Sequence, residues 1–395
     1  MSAPAAKRFG DGLSTRADWR QAADEAARAA RAGLDGASCD LALVFVSQAW
    51  ADFAPAELAG VLAKSLSPRR TLGCNAGGVL AGRREVEMKP AVAVLAMSLP
   101  AVRVADFALT PGELKRMEDG RALVAALDLY PTESPKFLAF GDPLSFDPER
   151  FAALVNEGYP GAPLIGGLAS GRALGRPSWM LLGDELIESG VAAVALTGDV
   201  AFDVVVAQGC RPIGEPLTVT KADGTTLVEL GGRSPLEVLR ETLSRCTPED
   251  QRLARHALFA GLAMSEGRSR YERGDFLIRN LTGFDSDSGA LELGAHLRAG
   301  QTLQFQLRDA QTSADDFSSL LGVLPKSAAS ARGALLVTCA GRGQGLYGEP
   351  DHDAALVQSL HGPLPMAGLF ANGEFGPVGG RNYVHGYTSS LAVIR

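Results

Sequence analysis

The sequence predicts an α/β protein with mixed β-sheets flanked by helices and built from internally repeated strand-helix-strand-strand units. Short apolar runs bounded by turn-forming residues recur along the chain, as is typical of buried strands. Segments with helical character stand between these runs. In addition, 46 of the 395 residues are glycine, above a usual share of about 7%, which indicates many tight turns and close backbone approaches.

An alanine-rich segment, 17–31, predicts a helix near the start of the chain. Asp18 is suited to cap this helix because its side chain can accept a hydrogen bond from a free backbone N–H, and Gly33 is suited to end it. Charges at Asp24, Glu25 and Arg28 predict one solvent-exposed face. We therefore expect a packing helix.

The strand-helix-strand-strand unit is predicted three times. In each copy roughly 30 residues separate the first strand from a glycine-rich turn, which fits a strand, a helix and a second strand. A final apolar strand closes each copy. The predicted segments are 41–46, 55–65, 71–78 and 91–97 in the first copy, 136–141, 147–157, 163–171 and 191–196 in the second, and 334–339, 353–360, 365–373 and 389–394 in the third.

The segment between the second and third copies predicts further strands at 203–207, 217–220, 275–279 and 302–307. Helices are predicted at 235–244, 248–260 and 313–321. Thr247 and Pro248 give the helix at 248–260 a good start signal. We place a domain boundary near Thr220, which divides the chain into an N-terminal helix and tail (1–36), a first domain (37–219) and a second domain (220–395).

Composition excludes several classes of function. The net charge is −7 and the basic residues are scattered, so nucleic-acid binding is not expected. The five cysteines form no Cys-x-x-Cys pair, which argues against disulfides or zinc knuckles and for a reducing compartment. The N-terminus lacks the apolar region of a signal peptide, and no apolar run reaches about 18 residues, the length that membrane insertion needs. We expect a cytoplasmic protein.

Distinctive motifs stand at 73–77, 166–170 and 208–214 in the first part of the chain, and at 275–280, 305–310, 339–343, 350–354 and 373–388 in the second. These motifs are similar to those of the FIST family, named for F-box and intracellular signal transduction proteins. The C-terminal motifs are the more specific, and 37–219 and 220–395 resemble the FIST N-terminal and FIST C-terminal domains. Asn75-Ala76 departs from the family, in which a hydroxyl-bearing pair is commoner at this place.

The resemblance implies an intracellular sensory module rather than an enzyme. Such a module would bind a small ligand, with amino acids the usual proposal for the family, and would signal to a protein partner. No cofactor is implied. Two other hypotheses stay open at this point, namely an enzyme that uses Cys339 with His385 or a bound metal, and a scaffold that recruits proteins without a ligand.

Candidate ligand-binding residues are concentrated in the C-terminal motifs. In Gly341-Arg342-Gly343 the glycines would let backbone N–H groups converge, and the guanidinium could fork onto a carboxylate. The alternative is a turn in which Arg342 pairs with an internal acid. If Arg342 instead lies open to solvent, its replacement by alanine should leave the unliganded fold intact.

Glu374, Asn382 and His385 could line the same pocket, or could stabilise a turn as satisfied polar groups. We expect all of these side chains to surround one concavity, because α/β proteins place ligands at loops that follow strands. The predicted ligand-binding set is Cys339, Gly341, Arg342, Gly343, Glu374, Asn382 and His385.

The chemistry of an enzyme is less well supported. Cys339 and His385 could form a nucleophile pair, but a thiol that ends a strand is more often a core residue. Asp351-His352-Asp353 contains metal-ligand types, yet adjacent residues of an extended strand point apart. The glycine pattern at 343–348 lacks the following helix and acidic residue of a dinucleotide site. We therefore predict no catalytic residue and no metal ligand.

Overall fold

Three repeats of one strand pattern form the larger of two units in the computed structural model, which describes residues 6–47, 50, 52–171, 177–324 and 333–395. The first unit comprises Met1–Val206, Leu320–Val384 and Thr388–Arg395. The second comprises Ala207–Ser319 and His385–Tyr387. The predicted boundary near residue 220 separates the segments that resemble the two FIST domains, and it stays a prediction.

The first repeat begins with the predicted helix. The Asp18 side chain accepts a hydrogen bond from the Gln21 N–H at 2.8 Å, which confirms the expected cap. Trp19 and the alanines of one helix face are fully buried. The elements of this repeat are β1 (Arg8–Ser14), α1 (Trp19–Ala32), β2 (Leu41–Ser47), a 3-10 turn (Pro55–Glu57), α2 (Leu58–Ser65), β3 (Thr71–Ala76), β4 (Gly78–Ala81), β5 (Arg84–Glu87) and β6 (Val92–Ser98).

The second repeat follows without a linker and has the same order of strands. Asp147 caps its crossover helix by accepting from the Arg150 N–H at 3.0 Å. Its elements are β7 (Val102–Leu109), α3 (Pro111–Arg116), α4 (Gly120–Leu127), a 3-10 turn (Pro131–Glu133), β8 (Lys136–Gly141), α5 (Pro148–Gly158), β9 (Leu164–Leu168), β10 (Met180–Leu182), β11 (Glu185–Ile187) and β12 (Val191–Gly198).

A closed six-stranded barrel interrupts the third repeat after its first strand, β13 (Phe202–Ala207). Thr247 caps the helix Pro248–Leu253 as predicted, by accepting from the Asp250 N–H at 3.1 Å. The predicted helix at 248–260 is wrong beyond residue 253. Residues 258–262 pair with strands on both sides instead, and this tertiary pairing overrides the local helical signal. The barrel region contains β14 (Cys210–Asp223), β15 (Thr226–Leu230), α6 (Pro235–Ser244), α7 (Pro248–Leu253), β16 (Leu258–Ala263), β17 (Phe276–Phe284), β18 (Leu291–Leu293) and β19 (Thr302–Arg308).

The third repeat resumes after the barrel. The glycine pattern at 343–348, which we expected to be a loop, contains a single helical turn. The closing strand coincides with the predicted segment 389–394. The elements are α8 (Ala310–Val323), β20 (Gly333–Cys339), α9 (Gln344–Tyr347), α10 (His352–His361), β21 (Met366–Ala371), β22 (Glu374–Val378), β23 (Arg381–His385) and β24 (Ser389–Ile394).

Each repeat builds four strands of its own sheet and gives a hairpin to the sheet of another repeat. The sheet orders are β1-β6-β2-β3-β10-β11, β7-β12-β8-β9-β22-β23 and β13-β24-β20-β21-β4-β5. The second repeat thus gives its hairpin to the first, the third gives one to the second, and the first gives one to the third. This cyclic hairpin exchange confirms the internal repeat and adds a feature that the sequence analysis did not predict.

Equivalent glycines mark the same place in all three sheets. Gly73, Gly166 and Gly368 lie inside strands, so the expectation that each belongs to a turn is wrong for these positions. A Cβ atom at Gly368 would lie 1.7 Å from the carbonyl oxygen of Leu336 on the parallel neighbouring strand. The corresponding distances at Gly73 and Gly166 are 2.0 and 1.9 Å. Close approach between parallel strands therefore requires glycine in each repeat.

One apolar core joins the inner faces of the three sheets. Phe45 of the first sheet and Phe140 of the second meet edge to face at 5.2 Å, and Val337 and Leu369 of the third sheet belong to the same cluster. Helices α1 and α2 cover the outer face of the first sheet, and α4 and α5 cover that of the second. The central strands β2, β8 and β20 are buried along almost their whole length, which explains their continuous apolar runs.

Candidate functional site

Arg342 forms a buried ion pair just beyond the carboxyl end of β20. Its Nε and Nη2 atoms donate to the two oxygens of Asp353, on the first turn of α10, at 2.7 and 3.2 Å. The side chains are 0% and 2% exposed. Arg342 therefore has an internal acid as its partner, which is the alternative that the sequence left open.

Hydroxyl and aromatic groups complete the environment of this pair. Thr338 Oγ1 and Ser389 Oγ donate to Asp353 Oδ2 at 3.1 and 2.7 Å. His352 Nδ1 lies 3.0 Å from Asp353 Oδ1, and its ring stacks on Tyr347 with the centroids 3.5 Å apart. The Tyr347 hydroxyl accepts from Arg342. The guanidinium plane is thus held from several directions.

The pair is charged on both sides despite its burial. Burial by itself would raise the pKa of Asp353, but the charge of Arg342 and the surrounding hydrogen bonds hold that pKa well below its usual range. Burial would likewise lower the pKa of Arg342, and the charge of Asp353 raises it above the ordinary value. The expectation that Arg342 lies open to solvent is therefore wrong, and so is the inference that its replacement by alanine would be harmless.

Glu374 is fully buried and binds the chain just before β24. Its Oε2 accepts from the hydroxyl and the N–H of Thr388 at 2.6 and 3.2 Å. The next residue, Ser389, points its side chain at Asp353. Two consecutive residues, Thr388 and Ser389, thus bind Glu374 and Asp353. The ligand-binding roles of Glu374 and Arg342 stay predictions.

Asn382 is bonded to the second repeat. Its Nδ2 donates to the Ala162 carbonyl at 2.8 Å and to Asn156 Oδ1 at 3.0 Å, and its Oδ1 accepts from the Leu164 N–H at 2.8 Å. The Asn156 side chain also bonds both backbone groups of Asn382. These bonds anchor the exchanged hairpin β22–β23, as the satisfied-group alternative expected.

The remaining predicted residues occupy different positions. Cys339 is half-buried, and its Sγ accepts from the exposed Gly341 N–H at 3.5 Å. Gly343 has a φ of +69°, and a Cβ there would lie 2.5 Å from the Glu87 carboxylate. His385 is buried and belongs to the second unit. Among residues that the structure describes, no group of three His, Cys, Asp or Glu side chains is arranged to hold a metal ion.

Sequence reasoning missed two partners of this region. Asp353 was noted only as a potential metal ligand, although an acid on the first turn of a crossover helix is well placed to meet an arginine that follows the preceding strand. Glu85 was not noted at all. It lies on the exchanged hairpin β4–β5 and accepts from the Ala354 N–H, a contact that no local pattern could reveal.

Comparison with family models decides the relationship. The FIST N domain model matches residues 40–233, and the FIST C domain model matches residues 235–377. The chain belongs to the FIST family. The FIST N match begins after α1 and extends through β15 of the barrel. The FIST C match ends before β23 and β24, although Ser389 of β24 binds Asp353. FIST domains are associated with sensory roles in signal transduction.

Two relatives align with this chain over nearly the whole length of both sequences. An uncharacterised protein of Mycobacterium tuberculosis is 39% identical over 392 residues, which cover 98% of this FIST chain and 99% of the relative. An uncharacterised protein of Mycobacterium bovis is 38% identical over 389 residues, with 98% of each chain covered. In the described part of the chain, every helix is too short or too polar to cross a membrane.

Proposed function

We propose that this protein is a cytoplasmic sensory module that binds a small ligand, with an amino acid the favoured class, and signals to a protein partner. The proposed ligand site is the end of β20, where Cys339, Gly341, Arg342 and Gly343 follow one another. The roles of Glu374, Asn382 and His385 in ligand binding, which were predicted from their residue types and positions in the sequence, remain proposals.

The observation that carries this proposal is the buried Arg342–Asp353 pair. A buried ion pair is a poor device for stability, because the cost of removing two charges from water offsets most of their attraction. In the other repeats the strands that correspond to β20 are β2 and β8. Three residues beyond their ends, where Arg342 stands after β20, these repeats have Trp50 and Leu144. An ion pair that the shared fold does not require is therefore best explained by function.

The chemistry of the strand end suits a carboxylate. Asp353 fixes the plane of the Arg342 guanidinium, so little side-chain freedom is lost when the arginine contacts a ligand. The exposed backbone at Gly341 lies beside it and lets a ligand approach closely. An amino acid supplies the carboxylate for this edge. We propose binding without catalysis, since Asp353 and His352 are engaged in holding Arg342 and Tyr347.

Cys339 gives a direct test because its thiol lies at the proposed site. We would measure the rate of iodoacetamide alkylation by mass spectrometry, with each of the twenty amino acids added in turn. A ligand at about ten times its Kd should slow Cys339 alkylation roughly tenfold, by occupying most molecules. Cys246, a half-buried thiol of the barrel, serves as the internal reference.

The same experiment separates the rival functions. A sensor should protect Cys339 with a small set of ligands and leave the alkylation of Cys246 unchanged. Equal rates at Cys339 with every amino acid would contradict amino-acid binding at this edge and favour a scaffold. Chemical conversion of a protecting ligand, followed by NMR and lost in Cys339→Ser, would instead favour the enzyme hypothesis.

A further inference from the structure

One outward face of barrel strand β19 carries polar side chains. Leu303, Phe305 and Leu307 point into the barrel core, so Gln304, Gln306 and Arg308 alternate on the other face. All three of these polar residues are less than a tenth exposed. Buried polar side chains are normally hydrogen-bonded, so the partner of each one has to be accounted for.

Gln304 and Gln306 differ at their amide nitrogens, although the Oε1 of Gln304 also has no partner among the described residues. The Nε2 of Gln304 donates to the Gly214 carbonyl, at the bulge of β14, at 2.6 Å. Gln306 is 2% exposed, and no described atom of the chain accepts a hydrogen bond from its Nε2. A buried amide without a partner loses its hydration and gains nothing in exchange. Gln306 therefore lacks the structural explanation that Gln304 has.

The neighbouring strand leaves space for the Gln306 amide. Gly261 of β16 lies diagonally across from Gln306, next to its direct partner Phe259. A Cβ at Gly261 would lie 2.7 Å from Gln306 Nε2 and 3.0 Å from Phe276 Cβ. The amide thus extends over a position where any other residue would displace it. Because Gly261 has no side chain, the Gln306 amide has room at this position.

Aromatic rings and one guanidinium group lie on the same face of the sheet as this amide, because Phe259 is the direct partner of Gln306 and Arg308 is two residues along β19. The rings of Phe259 and Tyr387 have centroids 4.3 Å apart, and the Arg308 guanidinium lies 4.9 Å from the centre of the Tyr387 ring. The Tyr387 hydroxyl donates to Asn280. The face therefore combines an amide donor, apolar walls and a cation, which together are complementary to a carboxylate with an apolar body.

We propose that Gln306 is the recognition group of a binding site on this barrel face, for a small carboxylate with an apolar or aromatic body. The Gln306 amide donates a hydrogen bond to a carboxylate oxygen. Phe259 contacts the apolar body, and the charge of Arg308 favours the anion over a neutral carbonyl. This inference rests on the second unit alone and does not depend on the proposed site at Cys339.

Two matched methionine variants test the proposal in the full-length chain. Gln306→Met removes an amide without a partner, so the unliganded protein should melt at a higher temperature than the parent. Gln304→Met removes a bonded amide from the same strand face and should lower the melting temperature. Opposite signs are expected because only the second substitution breaks a hydrogen bond.

Binding is measured with phenylacetate as the probe, by ligand-observed NMR titration. The parent should bind phenylacetate but not phenethylamine, which has a cation in place of the carboxylate. Gln306→Met should weaken phenylacetate binding about tenfold, the worth of one hydrogen bond, whereas Gln304→Met should leave it within about twofold. Gln306→Glu keeps the size of the side chain and should abolish phenylacetate binding by charge repulsion.

The proposal is overturned by any of three results. A lower melting temperature in Gln306→Met would show that the amide already has a partner, such as a buried water. Phenylacetate binding that is absent in the parent would exclude the ligand class. Binding unchanged in both Gln306→Met and Gln306→Glu would place the probe elsewhere, and the second variant keeps the test decisive if the first fails to fold.

Discussion

Glu85 accepts a hydrogen bond from the Ala354 N–H at 2.8 Å, although the two residues are 269 positions apart in the chain. Glu85 lies on the hairpin of the first repeat, and Ala354 lies on the first turn of α10 in the third. The carboxylate thus caps a helix of another repeat and fastens the exchanged hairpin to it. Glu85 is only 7% exposed, and burial, assisted by the nearby charge of Asp353, raises its pKa to about 8.

The raised pKa of Glu85 predicts a loss of stability with rising pH. In the unfolded chain the pKa of this carboxyl is close to its ordinary value of 4.5, and burial in the folded protein raises that pKa to about 8. Between these values the folded state binds the proton more tightly, so the free energy of unfolding should fall as pH rises from about 4.5 to about 8 and then level off. The lowered pKa of Asp353 changes the free energy of unfolding only at more acidic pH.

Glu85→Gln should abolish that fall because an amide keeps the bond to Ala354 and does not ionise. At pH 9 the variant should exceed the parent in free energy of unfolding by an amount on the order of 3 kcal/mol. Urea unfolding at pH 5.5, 7 and 9 measures both proteins. Glu87→Gln, at a half-buried carboxyl, is the control and should change the slope less. Parallel pH profiles for parent and Glu85→Gln would contradict the prediction.

Loss of Arg342 should destabilise the unliganded fold strongly. Arg342→Met leaves the Asp353 carboxylate buried without its counter-charge, which should cost about 3–5 kcal/mol in free energy of unfolding. The double variant Arg342→Met/Asp353→Leu should recover much of this loss. Chemical denaturation of the parent, the two single variants Arg342→Met and Asp353→Leu, and the double variant gives the coupling energy between the two side chains. Arg245→Ala, at an exposed pair with Glu241, should be indistinguishable from the parent. If the loss in free energy of unfolding in the double variant equals the sum of the losses in the two single variants, the two residues do not interact.

Gly368→Ala tests the close approach of the parallel strands. Its Cβ would lie 1.7 Å from the Leu336 carbonyl oxygen, so the strands must separate. We expect a loss of about 3 kcal/mol or more in free energy of unfolding. Gly60→Ala, inside helix α2 with nothing within 4 Å of the added Cβ, should instead gain about 0.5–1 kcal/mol. Similar effects of the two substitutions on thermal unfolding would refute the steric argument.

Asn382→Ala removes the side chain that fastens hairpin β22–β23 to the second repeat. Two acceptors, the Ala162 carbonyl and Asn156 Oδ1, and one donor, the Leu164 N–H, each lose a bond. The expected loss in free energy of unfolding is about 3 kcal/mol. Asn372→Ala, at an exposed asparagine, should have little effect. Amide hydrogen exchange should show faster exchange at Leu164 in Asn382→Ala alone, since Leu164 donates to the Asn382 side chain. Unchanged protection at Leu164 would contradict this anchoring role.

Local features of the sequence predicted the local parts of the fold. The apolar runs predicted β2, β8 and β20, and the caps at Asp18 and Thr247 were confirmed. The exchange of hairpins could not be predicted, because pairing between distant segments leaves no periodicity in either of them. The start signal at Thr247 was correct, but nothing local indicated that the chain after Leu253 pairs as a strand.

The candidate site was predictable to a similar extent. Arg342 was identified from its glycine-flanked position after a strand, and pairing with an internal acid was one of two alternatives. That Asp353 is the acid that pairs with Arg342 depends on how α10 packs, and the spacing of residues in the sequence does not specify this packing. Gln306 lacked any signal, because an alternating strand does not show which of its polar residues has a partner.

The cyclic hairpin exchange has a consequence for pieces of this chain. A segment with one repeat alone would carry a hairpin with no sheet to join and a sheet without its last two strands. Three identical copies of such a segment could each donate a hairpin to the next and close into a ring, because the three donations run in the same direction. A single repeat from this protein should therefore assemble as a domain-swapped trimer, in which separate molecules take the places that the three repeats occupy in one chain.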